Sequence, residues 1–283
     1  MAGRIESIDS TPAIRMSNND KDLERRTEMI HSPTIRILLP CLLVAFSIVF
    51  AVAQGRPALP AAATAESGES PAIVLGFVGG FVKYNDFVHV EVQLADRLRK
   101  EYPKGTVVEI FENHSGNSAY KRILTLLDTN HDGARSLDEK RHARIILYGH
   151  SWGASEIVTL SRRLERDGIP VLLTVQVDSV RKTGEDDALI PANVAQAANF
   201  YQSEGLLRGE PEIRAADKTR TKIIGNFQFS YGEAPYSCAG YPWYARIFMK
   251  AHTQIECDPK VWGEVESLIR SSLPGIKDNA AER

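Results

Sequence analysis

Short apolar runs alternate along the chain with segments in which apolar residues recur about every third or fourth position. The apolar runs predict strands at residues 72–78, 106–111, 145–148, 171–177, 198–202 and 222–229. The helical pattern appears at residues 86–100, 120–127 and 259–269, and in the segment between residues 153 and 168. Strands and helices that alternate at these lengths predict an α/β fold, with a mostly parallel sheet covered by helices on both faces.

The first 71 residues do not show this pattern. Residues 37–53 form an apolar run that follows Arg36 and ends in Ala51-Val52-Ala53, as is typical of a secretory signal peptide. The alternative is an uncleaved membrane anchor, because the run is near the lower length limit of a membrane span. We therefore predict an extension and signal peptide at 1–53, a low-complexity linker at 54–71, one folded domain at 72–273 and a polar tail at 274–283.

The composition is that of a soluble globular protein, with 43% hydrophobic and 25% charged residues. The net charge of −2 provides no electrostatic basis for binding nucleic acid. We expect the domain to be periplasmic or secreted, with membrane contact only through an uncleaved leader. Cys41 would be removed with the leader, which leaves Cys238 and Cys257 as a predicted disulfide in an oxidising compartment. Two unrelated buried thiols are the alternative.

The most informative motif is G-H-S-W-G at residues 149–153, between a predicted strand and a predicted helix. This is the context of a nucleophile elbow, in which a strained turn projects the Ser151 hydroxyl from the top of the sheet. An ordinary tight turn around a buried serine is the alternative. The motif and its flanks resemble the α/β-hydrolase superfamily, and within it the exported bacterial hydrolases of the lipase and esterase kind.

The resemblance implies two sources of backbone N–H groups for an oxyanion. One is Trp152, which follows the serine at the start of the helix. The other is the glycine-rich turn after the first predicted strand, in which Gly79, Gly80 and Phe81 are candidates. Glycine suits this position because no side chain blocks the approach of a substrate to the backbone.

A nucleophilic serine also needs a base and an acid that orients the base. In the family the chain order is serine, acid, histidine. His252 is the one histidine that follows Ser151, which makes it the candidate base in a loop before the last helix. Asp178 follows the strand after the elbow helix and is the preferred acid. Glu204, one strand later, stays open as the alternative.

A second motif, D-x-N-x-D-G-x5-E, precedes the strand that leads to the serine. It resembles the calcium loop of EF-hands, with a structural rather than a signalling role. The resemblance implies ligands at positions 1, 3, 5, 7, 9 and 12, which are Asp128, Asn130, Asp132, Ala134, Ser136 and Glu139. Arg135 departs from the motif, because that position is usually apolar. A polar loop between helices is the alternative.

Taken with the resemblance, these residues predict a serine hydrolase of carboxylic esters that works through an acyl-enzyme. The expected substrate is a small or lipid-like ester, with thioesters and amides still open, and no organic cofactor is expected. The alternative is an exported hydrolase-like domain with a calcium loop, which has a binding or structural role and no catalytic activity.

Overall fold

The computed structural model describes residues 70–232 and 236–273. The predicted leader, nearly all of the linker and the polar tail therefore lie outside the described residues. Strands are β1 (Ala72–Val78), β2 (Thr106–Glu112), β3 (Arg144–His150), β4 (Val171–Val177), β5 (Leu189–Ile190), β6 (Val194–Gln202), β7 (Arg214–Ala215) and β8 (Lys222–Phe229). Helices are α1 (Val90–Glu101), α2 (Gly116–Leu127), α3 (Leu137–Arg141), α4 (Trp152–Arg166), α5 (Trp243–Phe248), α6 (Lys250–Cys257) and α7 (Pro259–Ser272). Among these helices, none has the length and apolar character required to cross a bilayer.

Six strands form one sheet in the order β2-β1-β3-β4-β6-β8, and β5 pairs with β7 separately. Every pairing in the large sheet is parallel. The predicted α/β class with a parallel sheet is therefore confirmed. Parallel strands place their carboxyl ends at one edge, and the strand that ends at His150 lies in the middle of that edge.

Alternate residues of the central strands enter two separate cores. On one face, Val74 and Ile146 pack against α1 and α7. On the other face, Ile73 and Ile145 pack against α2 and α4. Because both faces are covered, the central strands are apolar throughout rather than alternating, as expected for a buried parallel sheet.

The departures from the predicted elements are local. Helix α1 begins at Val90 rather than at residue 86, and Val88 is exposed ahead of it. The predicted loop around His252 is instead helix α6. That segment buries Thr253, Gln254 and Glu256 along with its few apolar residues, so it has no clear apolar stripe from which a helix would be predicted.

Candidate active site

The turn between β3 and α4 holds Ser151 in a strained backbone conformation. Its φ is 56° and its ψ is −125°, a region that residues other than glycine rarely adopt. A Cβ atom at Gly149 would lie 2.6 Å from the carbonyl carbon of Gly153, and one at Gly153 would lie 2.2 Å from Phe77 O. Both glycines of the motif are therefore required by close contact between backbone segments.

The structure brings Ser151, His252 and Asp178 together. Ser151 Oγ lies 3.0 Å from His252 Nε2, and His252 Nδ1 lies 2.6 Å from Asp178 Oδ2. All three residues are buried, with Asp178 fully inaccessible. This arrangement has the connectivity in which a serine proton passes to a histidine that a carboxylate orients.

Asp178 is fixed by the neighbouring strand as well as by His252. The backbone N–H of Gln202 donates to Asp178 Oδ1 at 3.0 Å, and its side-chain amide donates to Oδ2 at 2.8 Å. Glu204, the alternative acid, points elsewhere and accepts a 2.9 Å hydrogen bond from the backbone N–H of Tyr231. Of the two carboxylates, Asp178 is therefore the one in contact with the histidine.

The glycine-rich turn after β1 lies directly beside the serine. A Cβ atom at Gly79 would lie 2.8 Å from Ser151 Cβ, so this turn can approach the serine only without a side chain. Gly80 has a φ of 46°, and the exposed ring of Phe81 packs edge-on against Trp152. No described residue accepts a hydrogen bond from the backbone N–H of Gly80, Phe81 or Trp152. These amides are available to a ligand next to the serine.

The site opens into a cavity of about 500 Å³ that is lined in part by Ser151, His252 and the turn of Gly79–Phe81. Two of its lining residues, Phe81 and Tyr244, have large exposed apolar side chains. The exposed ring of Trp243 contacts the ring of Tyr244. Such a rim favours a ligand with an apolar group.

Four further titratable side chains are buried beside the serine, and all but Glu91 also line the cavity. They are His89, Glu91, His150 and Glu256. Burial raises the pKa of Glu91 well above its usual value, and the charge of Glu256 adds to this effect. Burial also raises the pKa of Glu256 to about 7. For His150, burial lowers the pKa of the imidazole.

The EF-hand-like loop connects α2 to α3. Its acidic side chains turn inward, because Asp128 accepts the backbone N–H groups of Asp132 and Gly133 at 3.1 and 3.0 Å. The Glu139 carboxylate instead accepts four hydrogen bonds from Thr129 and Ser136, and these bonds lower its pKa to about 2. These bonds connect position 12 of the loop to positions 2 and 9.

The side chains of Asn130 and Asp132 also accept hydrogen bonds from the backbone of the loop. Asn130 Oδ1 accepts the backbone N–H of Asp132 at 3.0 Å, and Asp132 Oδ1 accepts that of Ala134 at 2.7 Å. The loop is thus already folded around its first three ligand positions, with His131 and Gly133 at positive φ. Calcium at this loop stays a prediction.

Cys238 and Cys257 form a disulfide, as predicted, with their Cα atoms 5.9 Å apart. Cys257 is the last residue of α6, the helix that carries His252. The bridge therefore anchors the end of this helix to the segment that precedes α5.

Sequence reasoning did not identify Gln202 or the four buried titratable residues as part of the site. A signal was present for Glu91, which lies on the buried face of α1 with Ala95 and Leu98. A carboxylate in the apolar stripe of a helix requires a partner. The position of Glu256, one helical turn after His252, was not recognisable because α6 itself was not predicted.

No protein-family model matches the sequence, and no curated protein matches it. Among solved structures, similar ones include a proposed hydrolase of the alpha/beta superfamily from Xanthomonas campestris pv. campestris, at 14% identity over 71% of this chain and 99% of that one, with a TM-score of 0.31. A thermostable esterase from Pseudomonas putida matches at 13% identity over 68% and 74% of the two chains, with a TM-score of 0.35. An acetylxylan esterase matches at 10% identity over 72% and 99%, with a TM-score of 0.34. These similarities are weak.

Proposed function

We propose that this protein is a serine hydrolase that cleaves carboxylic esters through an acyl-enzyme. One observation carries the proposal: a strained elbow serine at 3.0 Å from a histidine whose second nitrogen lies 2.6 Å from a buried carboxylate. A serine hydroxyl is a weak nucleophile at neutral pH and needs an adjacent base of this kind. A buried serine with a purely structural role does not need a strained turn.

In the first half of the reaction, Ser151 Oγ attacks the ester carbonyl carbon while its proton moves to His252 Nε2. The new C–O bond places negative charge on the former carbonyl oxygen. Asp178 holds the His252 ring by Nδ1 and stabilises the imidazolium that forms. Collapse of the intermediate breaks the bond to the alcohol oxygen, which takes the proton from Nε2 and leaves.

In the second half, water attacks the acyl-serine and gives its proton to the same nitrogen. Collapse of this second intermediate returns the proton to Ser151 Oγ and releases the carboxylic acid. His252 thus acts first as base and then as acid in each half, and the enzyme ends unchanged.

The backbone N–H groups beside the serine stabilise the developing oxyanion. Trp152 N–H lies at the N-terminus of α4, where the helix dipole favours negative charge. The amides of Gly80 and Phe81 lie in the turn that packs against Ser151. Fixed donors of this kind typically contribute about 10²–10³-fold to kcat each.

The substrate proposed is a small or lipid-like ester with an apolar acyl or alcohol group. Support comes from the cavity of about 500 Å³ and from the exposed aromatic rim formed by Phe81 and Tyr244. An apolar chain gains binding energy roughly in proportion to the surface that it buries, at about 25 cal/mol per Å². Thioesters and amides share the same carbonyl chemistry and belong in the same assay.

A chromogenic ester panel with graded acyl lengths tests this function. The wild-type domain should turn over at least one member, and Ser151→Ala should lose about 10⁶-fold in kcat. Ser161→Ala is the matched control, since this serine is buried in the same helix and donates only to Ile157 O at 2.7 Å. Equal rates in wild type and Ser151→Ala would reject the serine mechanism. A folded wild type that is inert toward the whole panel and toward thioesters and amides would favour the inert binding domain instead.

Export and structural calcium complete the proposal. The disulfide between Cys238 and Cys257 supports an oxidising compartment, because such bonds rarely persist in the cytosol. Calcium would brace the loop ahead of β3, the strand that leads to Ser151, and Asp128, Asn130, Asp132 and Glu139 would supply its side-chain ligands.

A further inference from the structure

Beneath the serine, four buried side chains converge from three distant parts of the chain. His89 and Glu91 lie at the start of α1, His150 ends β3, and Glu256 lies on α6. Their exposed fractions are 8%, 0%, 3% and 5% respectively. Two carboxyl groups and two imidazoles are thus almost completely removed from solvent.

Three of these side chains have ligand atoms close enough to share one ion, and His150 lies beside the two carboxylates. His89 Nδ1 contacts Glu256 Oε1, and His150 Nδ1 lies 3.3 Å from Glu256 Oε2 and 3.6 Å from Glu91 Oε1. His89, Glu91 and Glu256 each present a nitrogen or oxygen within 4.8 Å of the other two. Ligand atoms around a tetrahedral zinc ion, at about 2.1 Å from the metal, lie about 3.4 Å from one another.

Glu91 is the member that most requires a partner. It is fully inaccessible, and neither of its carboxylate oxygens has a hydrogen-bond partner among the described residues. A carboxylate that has lost water and gained no donor is strongly unfavourable, so such groups are paired or bind metals.

A cation fits the cluster better than hydrogen bonding alone. Tyr241 donates a hydrogen bond to Glu256 Oε1 at 3.1 Å, so Glu256 already has a hydrogen-bond donor within the protein, whereas Glu91 has none among the described residues. A proton shared between the two carboxyl groups would serve one Glu91 oxygen and leave the other unpartnered. A divalent ion neutralises both carboxylates at once and accepts lone pairs from the imidazoles as well.

We propose that His89, Glu91 and Glu256 bind one divalent transition-metal ion, that His150, which lies beside both carboxylates, completes the set as the fourth ligand, and that zinc is the ion this site accepts. Two imidazole nitrogens and two carboxylate oxygens are a donor set that zinc takes in tetrahedral sites. Calcium is disfavoured here, because it takes six to eight oxygen ligands. The site is separate from the EF-hand-like loop and uses none of its residues.

The metal acts as a positioning element for the residues of the proposed hydrolase. His150 directly precedes Ser151, and Glu256 lies one turn after His252 on α6. One ion bound to both would fix the elbow and the histidine helix relative to each other and to α1. Catalytic constellations depend on such supporting ligands, since a small misplacement is costly.

Metal analysis of the domain, purified without a metal-chelating tag or chelator, tests this site. We expect about one zinc ion per chain in the wild type and a loss of that zinc in Glu91→Gln. Glu156→Gln is the matched control, because Glu156 is a largely buried carboxylate that pairs with Lys182 outside the cluster. Asp128→Ala should keep its zinc, which separates this site from the EF-hand-like loop.

Two further readouts make the test independent of catalysis. Stripped wild type titrated with Zn²⁺ alone should bind one equivalent by calorimetry, and Co²⁺ in its place should give the visible absorption of a tetrahedral site. Ser151→Ala should bind zinc as the wild type does, so this inference can stand if the proposed hydrolase activity fails. If Glu91→Gln does not fold, His89→Gln provides the same comparison. Failure of the stripped wild type to bind Zn²⁺, or equal binding by the folded cluster variant, would overturn the inference.

Discussion

His252 Nδ1 lies 2.6 Å from Asp178 Oδ2, although 74 residues separate the two in the chain. Asp178 directly follows β4. The adjacent strand β6 contributes hydrogen-bond donors to its carboxylate and does not supply the acid. Gln202, the last residue of β6, donates two hydrogen bonds into the same carboxylate. His252 and Gln202 therefore hold the Asp178 carboxylate in one orientation.

Replacement of the acid should remove most of the activity without unfolding the domain. Asp178→Asn keeps the side-chain shape but favours the wrong histidine tautomer, so kcat should fall by about 10⁴-fold. Glu204→Gln is the control, and we expect its kcat to stay within a few-fold of wild type. Steady-state kinetics on the best ester of the panel measures both variants, and a larger loss in Glu204→Gln than in Asp178→Asn would assign the acid to Glu204.

The elbow glycines should be intolerant of even one added methyl group. In Gly153→Ala the new Cβ would lie 2.2 Å from Phe77 O, so the helix must shift away from β1. Forced overpacking of this kind typically costs about 1–3 kcal/mol of unfolding free energy. Chemical denaturation with urea gives the value.

Gly263 provides the matched control for that substitution. It lies in helix α7, and a Cβ atom there would meet no atom within 4 Å. Gly263→Ala should therefore leave stability unchanged or raise it by about 1 kcal/mol, because alanine favours a helix. A Gly153→Ala variant as stable as Gly263→Ala would show that the elbow is not packed as described.

The disulfide should stabilise the chain and the position of α6. A bridge that closes a separation of 19 residues contributes about 3 kcal/mol in the chain-entropy model. The double variant Cys238→Ser/Cys257→Ser should lose about that much unfolding free energy. Its kcat should fall further than this loss of stability explains, because Cys257 ends the helix that carries His252.

Intact-mass analysis checks the bridge directly. The mature domain, denatured and alkylated without reductant, should take up no alkyl group at Cys238 or Cys257. Uptake at both positions in freshly exported protein would mean free thiols.

Removal of calcium should lower the melting temperature if the EF-hand-like loop binds it, because a ligand of the native state stabilises that state by mass action. Dialysis against a chelator followed by calcium alone should lower and then restore the melting temperature. Asp128→Ala should abolish the response, since its carboxylate organises the backbone of Asp132 and Gly133. Calcium binding is discarded if stripped and calcium-loaded wild type melt at the same temperature.

Much of the fold was accessible from the sequence, because a parallel sheet buried on both faces gives long apolar strands. The predicted bounds of β1 (Ala72–Val78) and β4 (Val171–Val177) agree with the structure. Helix α6 was not predicted, because its buried face consists largely of polar side chains, of which His252, Thr253 and Glu256 form hydrogen bonds with other parts of the chain. Periodicity of apolar residues does not report a helix that is held by hydrogen bonds and a disulfide.

The candidate site was accessible only in part. Ser151 has a local motif, whereas Asp178 and Glu204 both follow strands whose carboxyl ends lie at the same edge of the sheet. The choice between these acids depends on the direction in which each side chain points, which no local pattern specifies. The cluster around Glu256 was missed for a related reason, since its members come from three segments and meet only in the folded chain.

Covalent labelling of the serine tests the central claim most directly. A reactive phosphonate probe forms a bond to a serine oxygen only when a base and an oxyanion site activate it. We predict that intact mass and peptide mapping will show one adduct on Ser151 in the wild-type domain and none in Ser151→Ala. Asp178→Asn should be labelled more slowly than wild type. A folded wild-type domain that stays unlabelled, or a label placed equally on Ser151→Ala, would contradict the assignment of this chain as a serine hydrolase.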